Sequence, residues 1–156
     1  AKAKEMIQTY LKWISENPNK AVDVEKRFKI EIAGVPVTGS IDRVEKTPSG
    51  EFEVIDFKTG RIYETKNSIK ENTQMNVYAL AVDNLYGKLP EKTSLFYLRE
   101  GKILENSIKT ENLKKVKSNL ENITKSILNE EFEAKPEKNA CDNCGFRSIC
   151  DFVESD

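Results

Sequence analysis

The stretch GSIDRVEKTPSGEFEVIDFKTG, residues 39–60, sets Asp42, Asp56 and Lys58 inside two apolar runs separated by Thr47-Pro48-Ser49-Gly50. Charges in the middle of a strand are costly unless they are paired or used. Pro-Ser-Gly is the composition of a three-residue hairpin loop, a type I turn closed by a left-handed glycine. Pairing Thr47 with Glu51 then places Val44 opposite Val54, Asp42 opposite Asp56 and Ser40 opposite Lys58. Opposed residues project to one side of a sheet, whereas Ile55 and Phe57 point into the other layer. A preceding hairpin, turning at Ala33-Gly34, would pair Ile32 with Val35 and Glu25 with Asp42, bringing Glu25 to the same patch. Two chemistries suit such a cluster. Lys58 and Arg43 could neutralise the acids in a structural network. Alternatively, the carboxylate oxygens hold Mg²⁺ or Mn²⁺, hard cations that keep several waters. A metal beside a lysine can activate water and stabilise charge developing on a phosphate.

The elements that must position these residues follow from periodicity. Met6, Ile7, Tyr10, Leu11 and Ile14 recur at helical spacing, and that helix should end near Asn17-Pro18. Residues 22–32 alternate, with Phe28, Ile30 and Ile32 on one side; 35–46 and 51–59 form the second and third strands. A helix over 70–86 carries Gln74, Val77, Tyr78, Ala81 and Leu85 along one stripe. Strands near 93–99 and 102–108 follow. A last helix from Thr110, its expected N-cap, turns Leu113, Val116, Leu120, Ile123 and Ile127 inward. The order is helix, three strands, helix, two strands, helix, then a cysteine-bearing tail.

Composition bounds what the chain can be. Its 156 residues suit one domain with a real core. With 25 basic against 26 acidic residues the net charge is −1, which carries no global signature of nucleic-acid binding. Lys58, Arg61, Lys66 and Lys70 nevertheless cluster within 58–70 against Glu64 alone. No apolar run approaches the ~20 residues that span a bilayer, and no signal-peptide pattern opens the chain, so a cytoplasmic location and no membrane partner are expected. Histidine is absent, which removes imidazole bases and histidine ligands from the chain itself.

The three motifs together resemble those of the RecB-type branch of the PD-(D/E)XK nuclease superfamily. The family pattern is G-x-I-D, then D-x-K, then Q-x-x-x-Y. It is met at Gly39-Ser40-Ile41-Asp42, at Asp56-Phe57-Lys58, and from Gln74 to Tyr78. The resemblance covers roughly residues 20–152. It implies a restriction-endonuclease-like α/β fold, with a mixed central sheet flanked by helices, and hydrolysis of DNA phosphodiesters with Mg²⁺ or Mn²⁺. Asp42 and Asp56 would be metal ligands together with the main-chain carbonyl of Phe57, and Lys58 would position or activate water. Gln74 and Tyr78 would orient the lysine and contact DNA. Glu25, in VEKRF, is similar to the family's first-strand glutamate, a supporting residue behind the ligands. Arg43 and Thr59 are expected phosphate contacts. The implied partner besides DNA is a helicase domain, in the same parent chain or in a partner subunit. A module that keeps this fold but only binds or scaffolds DNA is the alternative, and a junction resolvase shares the D-x-K chemistry.

Cys141, Cys144 and Cys150 have C-x₂-C-x₅-C spacing, which suits zinc or an iron–sulfur cluster. Either needs a fourth ligand, and metal-free reduced thiols are the other reading. The spacing is similar to that of iron–sulfur nucleases in the superfamily, which implies a [4Fe-4S] cluster whose fourth cysteine lies upstream, outside this chain. Family members usually carry a histidine or acid on an upstream helix as a further ligand. Here the first helix offers only Glu5 and Glu16. One nuclease domain truncated at its N-terminus is therefore expected: a helix remnant at 1–17, a core at 20–132 and a cysteine cap at 133–156. Its isolated activity should be weak.

Overall fold

The computed structural model describes residues 2–32 and 34–153. Helix α1 (Lys2–Glu16) leads into β1 (Lys20–Ile32), β2 (Val35–Lys46) and β3 (Phe52–Lys58). A short 3-10 turn over Ser68–Glu71 precedes α2 (Thr73–Tyr86). Strands β4 (Lys92–Tyr97) and β5 (Lys102–Ser107), helix α3 (Thr110–Leu128) and the brief α4 (Lys138–Asp142) complete the chain. The element order matches that expected from periodicity. No helix among the described residues is long and apolar enough to cross a membrane.

The five strands lie in chain order, antiparallel except for β3 beside β4. A parallel pair needs a crossover, and α2 supplies it. This crossover brings the helix that carries Gln74 back over the strand that carries Asp56 and Lys58. The fold is thus a mixed α/β sheet flanked by helices, as expected for a restriction-endonuclease-like architecture.

The expected register holds where it was most constrained. Val44 pairs with Val54, Thr47 N–H donates to the Glu51 carbonyl at 2.8 Å, and Gly50 takes φ 87°. Ile32 pairs with Val35; Ala33, in the expected turn, lies outside the described residues, as do positions 154–156 of the cap. Phe28, Ile30 and Ile32 are buried while Lys29 and Glu31 are exposed, so β1 alternates as read.

One face of the sheet packs on α2, with α3 behind it; the main core joins Phe28, Ile30, Val44, Val54 and Leu95 to Val77, Ala81 and Val82. The other face is covered by α1, where Tyr10 and Trp13 meet Phe57 edge-on at 5.4 and 5.9 Å between ring centroids. Trp13 also packs on Phe96 at 5.3 Å.

Three stripes differ from the sequence pattern. In α1, Trp13 turns to the sheet while Ile7 and Leu11 face solvent. In α3, Thr124 is buried and Ile123 and Ile127 are exposed. Leu85 of α2 is also exposed, and Lys109, not Thr110, is the N-cap of α3. In both α1 and α3 the inward direction is rotated by one residue from the most apolar line. A flat contact with the sheet selects by geometry among several apolar positions.

Candidate active site

The site forms where β2 and β3 separate. Their ladder ends at Arg43–Ile55, and beyond it the Asp42 carboxylate accepts the Phe57 N–H at 2.8 Å. Asp42 therefore takes over a bond that the next backbone pair would have made. This holds its carboxylate against the strand that carries Asp56. Asp56 is 3% exposed, and its Oδ2 lies 2.6 Å from the Lys58 ammonium. The Lys58 ammonium is the partner of this buried oxygen, and no other group among the described residues reaches it.

Helix α2 closes the cluster. Asn72 caps it, its side chain accepting from Met75 N–H at 3.0 Å, which fixes the start of the turn that carries Gln74. Gln74, in that turn, accepts from Lys58 Nζ at 3.0 Å and donates to Asp56 Oδ1 at 3.1 Å. Its amide also donates to the Tyr78 hydroxyl at 2.9 Å, as the i, i+4 spacing allows. Lysine, glutamine, tyrosine and aspartate form one connected network.

Burial pushes the Asp56 carboxyl above its ordinary range; the Lys58 ammonium opposes this and the Asp42 charge adds to it. Tyr78 is likewise raised, by burial first, and its phenol feels Asp56, Asp42 and Glu25.

Glu25 sits between the pairs Val24–Arg43 and Lys26–Ile41, at the level of Asp42, with φ 49°. Left-handed backbone in a glutamate costs about 1–2 kcal/mol, so β1 is strained at the height of the site. Glu25 is exposed and lies close enough to Tyr78 to help raise its phenol.

Gly39 of the G-x-I-D motif has a steric reason. A Cβ there would meet the Phe28 ring at 2.7 and 2.8 Å. Phe28 in turn packs edge-on against Tyr78, with ring centroids 5.9 Å apart. The glycine lets the ring lie down and steady the tyrosine from behind.

Arg43 is not brought to this cluster. Residues alternate along a strand, and the neighbour of Asp42 points to the α1 face. There it is 6% exposed, its Nε donates to Glu45 at 2.6 Å, and its guanidinium lies 5.6 Å from the centre of the Trp13 ring. Glu45, fully buried, also accepts from Asn17 at 2.8 and 2.9 Å. Glu53, paired with Glu45, accepts from Asn19 at 3.0 Å and Ser94 at 3.0 Å, and burial raises its carboxyl above the ordinary range. The arginine expected to meet phosphate is instead part of a polar clasp that holds the α1–β1 junction to the sheet. Thr59 lies exposed just past Lys58, and its side chain has no hydrogen-bond partner among the described residues.

Tyr97 is a neighbour that no motif signalled. It pairs in register with Lys58, is 4% exposed, and its phenol is raised by burial and by Glu64, whose backbone N–H faces it. Only the parallel β3–β4 register reveals it.

Asp42 and Asp56 provide hard oxygen donors, one of them a buried oxygen that meets only the Lys58 ammonium among the described residues, and so fit a divalent cation that keeps several waters. Among the described residues no group of three or more Asp, Glu, Cys or His forms a metal cluster. The same holds for the tail: Cys141, Cys144 and Cys150 are free thiols and do not converge on a cluster site.

The profile of the PD-(D/E)XK nuclease superfamily matches residues 1–151, and the chain belongs to that superfamily. It is 30% identical over 145 residues to the Gene 69 protein of Mycobacterium phage D29, covering 88% of this chain and 50% of that protein. The corresponding phage L5 protein is 28% identical over 141 residues, covering 86% of this chain and 46% of the relative. The chain thus spans about half the length of these curated relatives. The solved structure of SSO0001 superposes with TM-score 0.59 at 17% identity, covering 98% of this chain and 71% of that one. An exonuclease candidate from Eubacterium rectale also gives 0.59, at 13% identity, with 99% and 62% covered. At such identities the superpositions report the fold.

Proposed function

We propose that this chain is a RecB-type deoxyribonuclease module that hydrolyses DNA phosphodiesters with Mg²⁺ or Mn²⁺. The observation that carries the reading is the network joining Lys58, Gln74, Asp56 and Tyr78 beside Asp42. A lysine held only as a counter-ion would need no amide linking it to both the carboxylate and a tyrosine.

Asp42 and Asp56 would hold the cation, with the Phe57 carbonyl an expected further donor. When bound, the ion supplies a water of lowered pKa and neutralises charge on the scissile phosphate. Lys58 has three donor hydrogens. One goes to Gln74 and one faces Asp56, which leaves the third for a phosphate oxygen or the attacking water. Gln74 fixes the ammonium and prevents it from collapsing onto Asp56 alone. Tyr78 fixes Gln74, and Phe28 backs Tyr78. Hydrolysis then places the water's hydroxyl on phosphorus and leaves the departing sugar oxygen protonated.

A RecB-type assignment brings with it a helicase in the parent chain or a partner subunit, and a cap whose cysteines join a cluster through an upstream thiol. Support for both is the motif set and the C-x₂-C-x₅-C spacing. The second reading, a DNA-binding module without catalysis, is favoured by one feature: among the described residues no third carboxylate joins Asp42 and Asp56 in a metal-holding group.

Cleavage of end-labelled linear DNA in Mn²⁺, by this chain and by Lys58→Ala with its fold confirmed, separates the two. Cleavage that is lost in the variant supports the nuclease. DNA binding without cleavage, by a folded chain shown to be loaded with Mn²⁺, supports the scaffold.

A further inference from the structure

Residues 58–70 hold four cations, Lys58, Arg61, Lys66 and Lys70, and a single acid, Glu64. Opposite charges so close in sequence are expected to pair, yet Glu64 forms no ion pair among the described residues. Its half-buried carboxylate takes neutral donors instead. Oε1 accepts from Asn72 Nδ2 at 2.9 Å, and Oε2 accepts from the Ser68 hydroxyl. Ser68 in turn accepts the Thr65 N–H at 2.8 Å, and Ile62 packs against the main core, so the segment between β3 and α2 is fixed from within. A carboxylate that passes over four cations for an amide and a hydroxyl is not there to balance charge.

Asn72 joins this segment to the site. Its Nδ2 goes to Glu64 while its Oδ1 accepts the Met75 N–H and caps α2. The carboxylate therefore fixes which way the amide is turned. Without that acceptor the amide is free to rotate, and the nitrogen it then presents to the helix cannot cap an N–H. Gln74 lies inside the capped turn and links Lys58 to Asp56 and Tyr78. The strand side of the same contact is closed as well. The register partner of Lys58 is buried Tyr97, whose phenol faces the Glu64 backbone N–H. The Leu98 N–H donates to the Lys58 carbonyl at 2.9 Å, so β4 stays paired to the end of β3. Glu64 thus meets the helix through its side chain and the strand pair through its backbone, on the two sides of the Lys58–Gln74 bond.

We infer that Glu64 is a positioning residue for the cleavage reaction: it latches the β3–α2 segment to Asn72, so that the first turn of α2 delivers Gln74 to Lys58 and Asp56. The inference rests on the nuclease reading of that site. Glu64 acts through Gln74 and not on the reacting atoms. Its requirement is for an oxygen at that place, not for a charge.

The test compares the parent with Glu64→Ala, Glu64→Gln and Asn72→Asp, each shown to be folded at the assay temperature. In the metal-free chain, the ¹H–¹⁵N signals of the Gln74 side-chain amide report whether its hydrogens still meet Asp56 and Tyr78; their absence in Gln74→Glu assigns them. Glu64→Ala is expected to move these signals toward those of free glutamine. Asn72→Asp keeps a capping oxygen for the Met75 N–H but removes the donor to Glu64, and should move them likewise. Glu64→Gln keeps an oxygen for Asn72 and a donor for Ser68, and should return them to the parent's positions. With Mn²⁺ and saturating end-labelled DNA, the single-turnover rate should fall roughly 10- to 100-fold in Glu64→Ala and recover in Glu64→Gln. The apparent KM should stay within about twofold of the parent's, because the change acts on the rate and not on binding. A role in stability alone would leave the rate of the folded chain unchanged. Unmoved Gln74 signals in Glu64→Ala or Asn72→Asp, no rescue by Glu64→Gln, or moved signals with unchanged cleavage would overturn the inference. A parent that does not cleave refutes the nuclease reading instead, and the Gln74 signals then decide the latch by themselves.

Discussion

Replacing Arg43 by alanine tests whether this residue meets phosphate or holds the fold. In the structure its guanidinium is 6% exposed, donates to fully buried Glu45 at 2.6 Å and lies over Trp13. Removing it leaves Glu45 with the two Asn17 bonds and no cation, and removes the cover from the Trp13 ring. Breaking a buried pair from one side costs about 3–5 kcal/mol, because the surviving charge is uncompensated. The lost cation–π contact adds about 0.5–2 kcal/mol. Against a typical stability of about 5–15 kcal/mol this is a large fraction. At roughly 2–4 °C per kcal/mol for a domain of this size, the melting temperature should fall by about 7–28 °C. Urea denaturation and thermal melting of Arg43→Ala measure it directly. The double replacement Arg43→Met/Glu45→Leu, which removes both charges, should recover most of the loss. A variant within about 0.5 kcal/mol of the parent that binds DNA less well would refute the clasp and return Arg43 to the substrate.

Four further outcomes follow from the geometry. Gln74→Ala should lower cleavage about 10- to 100-fold, as for residues that orient a catalytic group, while melting changes by no more than a few degrees because the side chain is exposed. The raised Asp56 carboxyl binds its proton more tightly folded than unfolded, so its charged form weakens the fold increasingly as pH climbs from the ordinary value of 3.8 through the higher folded one. Asp56→Asn should therefore keep or raise metal-free stability at neutral pH while abolishing Mn²⁺ affinity, read by melting with and without the ion. Gly39→Ala drives a Cβ into the Phe28 ring and should cost about 1–3 kcal/mol, seen in urea titration together with reduced cleavage through Tyr78. Among the described residues the three thiols do not converge, so this chain, reconstituted anaerobically with iron and sulfide, should show no stable cluster absorbance.

The hairpin register was legible because Thr47-Pro48-Ser49-Gly50 admits few turn geometries, and one register then fixes which side chains share a face. Gln74 and Tyr78 were legible for a similar reason, the i, i+4 spacing of a helix. Arg43 was misjudged although the signal was present. Alternation from Asp42 turns it to the opposite face, but its charge next to an acidic motif suggested phosphate. Tyr97 and Glu64 could not be found by pattern, since their approach to Lys58 depends on the parallel β3–β4 pairing and on the course of the intervening loop. The helix stripes failed by one residue in α1 and α3 because hydrophobicity marks a broad arc, and packing alone selects Trp13 and Thr124 within it. Glu25 was placed at the correct level, yet its left-handed backbone left no trace in a sequence of alternating residues.

The central claim is that Asp42 and Asp56 together form a divalent-cation centre. Electron paramagnetic resonance of free Mn²⁺, titrated with the chain and with Asp42→Asn and Asp56→Asn, tests it without reference to any substrate. The account predicts saturable binding by the parent, competed by Mg²⁺ and lost in either variant while both remain folded. Binding that survives both substitutions, or no binding by the folded parent, would contradict it.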